Sequence, residues 1–346
     1  GPMMRARHRA TSLLLAGVFA LAAGAAPAHA QTEQWKMQAA TQAGEIAFQI
    51  MKEFTDSIGP LTGGRLQVEL LPVGSVVQYS ETLDAVGTGI LDGQVTAPVY
   101  FSGKNPAFAL LGDLIAAYNH TEEMFLFLRR GGGDGLLREL YAEYGVHYIG
   151  GAATGKEALV STIPLRGVDD LDGIKIRAPE GMAQDIFSVV GAAPVNLPAA
   201  EVFTAIERGV VDAADWATFS MNHQLGFHRI AQYPVYPGIH SLPVIDVAVN
   251  QERWDALAPD VQAILEAAVW DFSRDITHRL ELRDLADVAA ARADGVEIID
   301  WPMEERSRLR AIATGIWADW STRSPEAEAA YTAQIAFLRE LGLLAK

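Results

Sequence analysis

The 346-residue chain contains no cysteine. Disulfides and thiolate metal centres are therefore excluded, and the fold has to be held by its core. Positive charge is also scarce. Twenty-seven Lys and Arg face forty-three Asp and Glu, for a formal net charge of −16. Such an acidic balance argues against nucleic acid or an anionic membrane surface as a partner. After the N-terminal region, no stretch approaches the roughly 20 apolar residues needed to cross a bilayer. Neither a G-x-S-x-G nor an H-E-x-x-H pattern occurs, so the common nucleophile and zinc-hydrolase signatures are missing. Ser220, His223 and His228 lie close together in sequence, but spacing alone does not make a triad.

The N-terminus carries clear information. Gly1-Pro2 before Met3 resembles the remnant of a cleaved tag. Arg5, Arg7 and Arg9 then precede an apolar run from Leu13 to Ala26 that closes on Ala28-His29-Ala30. This is the layout of a secretory signal, which predicts export and a mature chain starting near Gln31. Removing residues 1–30 takes away three arginines and no acid, leaving a net charge of −19. An anion would then have to be captured by a local positive site inside a repelling field.

Periodicity over the remainder predicts an α/β protein. Strands are expected at Gln34–Ala39, Leu66–Leu71 and Leu91–Thr96, with an amphipathic helix over Gln42–Ile58 and another over Ser80–Gly87. That order implies a parallel sheet with ligands beyond the strands' carboxyl ends. A second unit begins near Val146, with strands ending at Arg177 and Trp216, while Val244–Val249 reads as a strand returning to the first unit. Gly131–Gly135 reads as a flexible loop between helices. From Pro259 to Ala293 apolar residues recur at helical spacing, opened by proline and followed by Gly295. Thirty-five residues give a helix of about 50 Å, long enough to lie across both units.

Gly150-Gly151-Ala152-Ala153-Thr154-Gly155-Lys156 matches a phosphate loop until Glu157 occupies the place of the magnesium-binding hydroxyl. The β-branched residues that follow are not a helix start, so nucleotide binding is not expected.

The strand ends supply candidate ligand contacts. Arg177 offers a planar fork of donors matched to a carboxylate, and Trp216 a flat wall beside Asp215. Lys156 is positioned to add a second cation, Tyr100 a hydroxyl and His240 a ring nitrogen. Each has a purely structural alternative: an ion pair with Glu180 or Asp172 for Arg177, pairing with Glu157 for Lys156, core packing for Trp216 and Tyr100, and a surface loop for His240.

Three segments carry a family resemblance: Asp170-Leu171-Asp172-Gly173-Ile174-Lys175-Ile176-Arg177, Gly191 through Pro198, and Glu201 through Asp212. With the long helix, these resemble the extracytoplasmic solute-binding proteins of tripartite ATP-independent periplasmic (TRAP) transporters. Trp35-Lys36-Met37-Gln38, Tyr100 with Gly103-Lys104-Asn105-Pro106, and Asp215-Trp216 are most similar to the binders of 2-oxo acids and lactate.

The resemblance implies a two-lobed periplasmic-binding-protein-like fold with a connector helix. It places residues 31–153 and 243–282 in lobe I, and 154–242 and 283–346 in lobe II, with the C-terminal helices in the latter. It also implies a periplasmic location, transporter membrane subunits as partners, a small organic anion as ligand, and Arg177 as the carboxylate grip. No catalysis is implied; an exported enzyme acting on small carboxylates, or a sensory receptor, are the alternatives. Members of this subgroup often hold the ligand through a metal bound by a glutamine at the Lys156 position, an acid before the tryptophan, and a glutamate near His240. With lysine in place of glutamine, the sequence suggests a metal-free site without cofactor, in which the Lys156 ammonium stands in for the cation. The face Tyr331, Ile335, Leu338 is compatible with a homodimer or with packing on the chain's own body.

Overall fold

A computed structural model describes residues 32–346. The export signal expected over residues 1–30 lies outside them. Among the described residues, nine strands form two sheets. The first contains β1 (Glu33–Ala39), β2 (Leu66–Leu71), β3 (Gly93–Thr96), β4 (Val146–Ala153) and β9 (Val244–Asn250), in the order β2-β1-β3-β9-β4. The second contains β5 (Leu159–Ser161), β6 (Lys175–Arg177), β7 (Ala193–Val195) and β8 (Ala213–Asp215), in the order β5-β8-β6-β7.

In the first sheet β1, β2 and β3 run parallel, as the alternation of strand and helix requires. β9 enters between β3 and β4, antiparallel to both. All seven of its residues are buried, which explains the unbroken apolar run around Asp246. That carboxylate is satisfied by the side chains of Gln94, Thr96 and Tyr141 and by the Thr96 amide. The chain crosses between the sheets twice, over residues 154–158 and again before Val244.

The helix Pro259–Ala293 has the bounds that its proline and glycine signals predict. Val261, Leu265, Val269, Phe272 and Ile276 pack on the first sheet and on the helix Ile46–Leu61, where Phe54 and Phe272 stack 4.6 Å apart. Val288 and Ala291 belong instead to a cluster with Ala158 and Phe219 beside the second sheet. The helix is pinned between these ends, since Thr277 Oγ1 donates to the Ala153 carbonyl (2.6 Å) and Asp284 accepts from the Ser220 amide (2.9 Å).

The segment Gly131–Gly135 is not simply a loop, because Gly133 opens a helix that runs to Ala142. The C-terminal helices span Met303–Ser321 and Pro325–Glu340. Gln334 donates to the Leu110 carbonyl and Trp317 to the Ile115 carbonyl, both on the segment that follows β3. Trp320 reaches the other way, donating to Asp185. These helices therefore brace both sheets, where the sequence suggested they belonged with the second. Leu338 is fully buried and Tyr331 and Ile335 pack on the same core, so that face is occupied within the chain.

Candidate functional site

Three elements converge at the carboxyl ends of β6 and β8. Parallel pairing sets Arg177 beside Ala214, one residue before Asp215. The Arg177 Nε donates to the Leu197 carbonyl (3.1 Å) and Nη1 to the Asp215 carbonyl (2.6 Å). Carbonyl dipoles fix the guanidinium without cancelling its charge, and among the described residues it makes no ion pair. The candidate acid Glu180 accepts from Asn196 instead.

The third element is the pair of crossovers. Gly238 packs so tightly on the Glu157 carbonyl that a Cβ there would lie 1.7 Å from that oxygen. With the Glu157 amide donating to the Ser241 carbonyl (3.0 Å), this close approach clamps residues 238–241 against the outgoing strand. His240 is thereby brought to Asp215, Nε2 to Oδ2 at 3.2 Å, with both side chains almost wholly buried. The approach is off the line a hydrogen bond needs, and neither ring nitrogen has a hydrogen-bond partner.

The Glu157 side chain completes the group. Glu157, Asp215 and His240 each offer one atom within 4.8 Å of the others. Burial, then the Asp215 charge and their shared hydrogen bond, push the Glu157 carboxyl well above its ordinary range. Burial opposes ionisation of Asp215 as well, but His240, Glu157 and Arg177 together bring it down to about 2. The two carboxyl groups thus divide one proton between them.

A cavity of about 460 Å³ opens from Glu157 and Asp215 between the sheets. Tyr79 and Tyr100, edge to face at 4.9 Å, stand on its first-sheet side, and Asp113 also lines it. Burial raises the Asp113 carboxyl to about 6 although Ser241 and the Leu242 amide donate to it. A larger groove of about 580 Å³ lies on the outer face of β4, where Arg129 rests on the Trp270 ring. It gathers no comparable group of ligand atoms and is remote from Arg177.

The structure brings together Arg177, Asp215, His240 and Tyr100 and separates two other candidates. Lys156 faces away, its ammonium donating to the Tyr118 carbonyl (2.6 Å) beside a different cavity. Burial there, followed by repulsion from Arg306 and Arg310, lowers it to about 7. Lys156 and its neighbour leave the crossover in opposite directions, so the sequence register was one residue off and Glu157 takes the inward position. Trp216 donates to the Ala199 carbonyl and packs on Phe227, outside the cavity wall. Glu157 and Asp113 were missed as site residues, as were Met182 and Trp320, which form part of the wall.

An imidazole with no hydrogen-bond partner, buried beside two carboxyl groups, fits a bound cation: its lone pair converges with the carboxylate oxygens once Glu157 gives up its proton. The metal-free expectation was built on a lysine that does not enter the site.

Comparison with known proteins accords with this geometry. Residues 37–323 match the model of the bacterial extracellular solute-binding protein family 7. A monocarboxylate 2-oxoacid-binding periplasmic protein of Nostoc sp. is 25% identical over 286 residues, covering 82% of this chain and 78% of the relative. A TRAP periplasmic solute-binding protein of Rhodobacter sphaeroides, solved in an apo open state, is 41% identical. It covers 91% of this chain and 100% of its own, with a TM-score of 0.85. One from Pseudoalteromonas atlantica, solved with sodium and pyruvate, shares the fold at 24% identity and a TM-score of 0.76, covering 90% and 95% of the two chains. The chain belongs to the extracellular solute-binding protein family 7 and is the substrate-binding component of a TRAP transporter, not an enzyme.

Proposed function

We propose that the chain captures a small organic acid, a 2-oxo or 2-hydroxy carboxylate, in the periplasm and delivers it to the transporter's membrane subunits. The observation that supports this most is a guanidinium held by carbonyls beside a buried three-donor cluster, two of whose members, Glu157 and Asp215, line a cavity between the sheets. Arg177 fixes the ligand carboxylate as a fork, and Tyr100 faces it across the gap. Lobe I comprises residues 32–153 and 243–282, and lobe II residues 154–242 and 283–346. Closure turns on the crossovers near Ala153 and Ser241–Pro243, driven by the ligand's preference for the closed form.

Glu157, Asp215 and His240 are the residues to hold a metal ion. When bound, such an ion supplies positive charge for the ligand's second oxygen. One imidazole with two carboxylates suits a borderline divalent cation better than calcium, which favours oxygen ligands throughout.

Metal analysis and thermal melts test the scheme together. The protein as purified is expected to carry one ion per chain. Pyruvate or lactate at 100 times its Kd then adds about 2.7 kcal/mol of stability, and chelation removes the gain. No ion, and no shift with any small organic acid, would sink the scheme.

A further inference from the structure

Among the described residues, Ala116 is the only non-glycine with a positive φ, 64°. An L side chain enters that left-handed region only at a cost, so its surroundings must hold it there. They do so from several sides. Asp113 ends the helix Ala107–Gly112, its amide donating to the Ala109 carbonyl (2.9 Å). From the helix Met303–Ser321, Trp317 donates to the Ile115 carbonyl (2.9 Å) and Arg310 to the Ala117 carbonyl (2.7 Å). In this conformation the Ala116 amide donates to the His240 carbonyl, 2.7 Å away. The Asp113 carboxylate accepts from the Ser241 hydroxyl and from the Leu242 amide (2.9 Å). Residues 240, 241 and 242 are thus each bonded to one short, braced segment. The His240 ring itself has no hydrogen-bond partner. Its direction is set by the backbone that carries it and by packing on the Phe187 ring, 5.6 Å between centroids.

From this, and resting on the metal reading above, we infer that Asp113 is a positioning residue for the metal site. With the left-handed Ala116 it fixes the backbone of residues 240–242 so that His240 presents its imidazole to Glu157 and Asp215. Asp113 stands outside the three-donor group, and its two oxygens already meet Ser241 and Leu242. It acts on an ion through His240. Partners that orient a metal ligand in this way govern affinity by roughly 10–100-fold.

Substitutions separate positioning from charge. Asp113→Ala removes both bonds, Ser241→Ala removes one, and Asp113→Asn removes the charge while its amide can still meet Ser241 and Leu242. Calorimetric titration of the metal-free protein with Co2+ reads the site that His240→Ala abolishes. Asp113→Ala should weaken it about tenfold or more and Ser241→Ala about threefold or more, whereas Asp113→Asn should cost no more than about threefold. In the metal-free protein, hydrogen exchange at the Ala116 amide, which none of these changes touches, should quicken in both alanine variants. Ser241→Ala carries the test if Asp113→Ala fails to fold. An Asp113→Asn loss as large as that of Asp113→Ala overturns the inference, because charge would then be the cause. Parent-like Co2+ binding in both alanine variants, or weaker binding with Ala116 exchange unchanged, overturns it too. If the parent takes up no Co2+, the metal reading falls and this inference with it.

Discussion

Arg177 is held by two backbone carbonyls, so its side chain is preorganised before any ligand arrives. Little rotamer entropy is then lost on binding, and the bidentate geometry is set in advance. Arg177→Ala should weaken the best ligand by about 3 kcal/mol, roughly a hundredfold, as isothermal titration would measure. Arg177→Lys should recover little of this, because an ammonium cannot span Leu197, Asp215 and a carboxylate at once. A variant that binds as the parent does would show that the anchor lies elsewhere. His240→Ala should release the metal ion while the fold survives, a result read by metal analysis and circular dichroism. At this scale Arg177 and Asp215 stood out by type and position at strand ends, whereas His240 read as a loop histidine, and its burial beside Asp215 depends on a packing contact at Gly238 that leaves no local signal. Glu157 was not legible, since a one-residue shift exchanges the inward and outward faces of the chain. Its neighbour Lys156 looked like the stronger anion-binding residue.

Among the elements, the long helix was the most legible, because Pro259 and Gly295 punctuate an apolar period broken only at Asp284. The three parallel strands followed from their alternation with helices. Burial on both faces made β9 recognisable as a strand, but its place between β3 and β4 depends on pairing that no local pattern encodes. The C-terminal helices were recognisable as helices, but their hold on both sheets was not. Their contacts run to Ile115 and Leu110 on one side and to Asp185 on the other, and long-range hydrogen bonds of this kind leave no local mark. Phe272 tests the long helix's hold on the first sheet. It is buried and stacked on Phe54, so Phe272→Ala should cost about 3–5 kcal/mol in chemical denaturation. Ligand affinity, measured well below the melt, should change little, because Phe272 is remote from the cavity.

Over the whole molecule, buried acids set the response to pH. Burial raises Asp113, Asp246 and Asp284 each to about 6, against the hydrogen bonds they accept. At these three acids the folded state binds more protons than the unfolded chain between about pH 4 and 6, offset in part by His147 and His228, which burial lowers to about 4. Stability contributed by the three acids is present at the acidic end of that window and lost as pH rises through 6. Below about pH 4 the paired surface carboxylates Asp169 and Asp260, which their arginine partners hold below the usual range, become protonated and that contribution is lost too. Thermal melts of the metal-free protein should thus decline from about pH 4 to pH 6 and level off above it. A melting temperature that climbs steadily from pH 4 to 6 would contradict the picture.

The placement of β9 also bears on how the protein is made. The strand at the heart of the first sheet is supplied by residues 244–250, long after β1 to β4 have been synthesised. A nascent chain that stops short of it holds β3 and β4 apart with nothing to join them. The first sheet cannot then close in sequence order, although every strand of the second is already present within residues 159–215. Truncation before residue 250 should therefore leave the first sheet as a protease-sensitive, collapsed remnant.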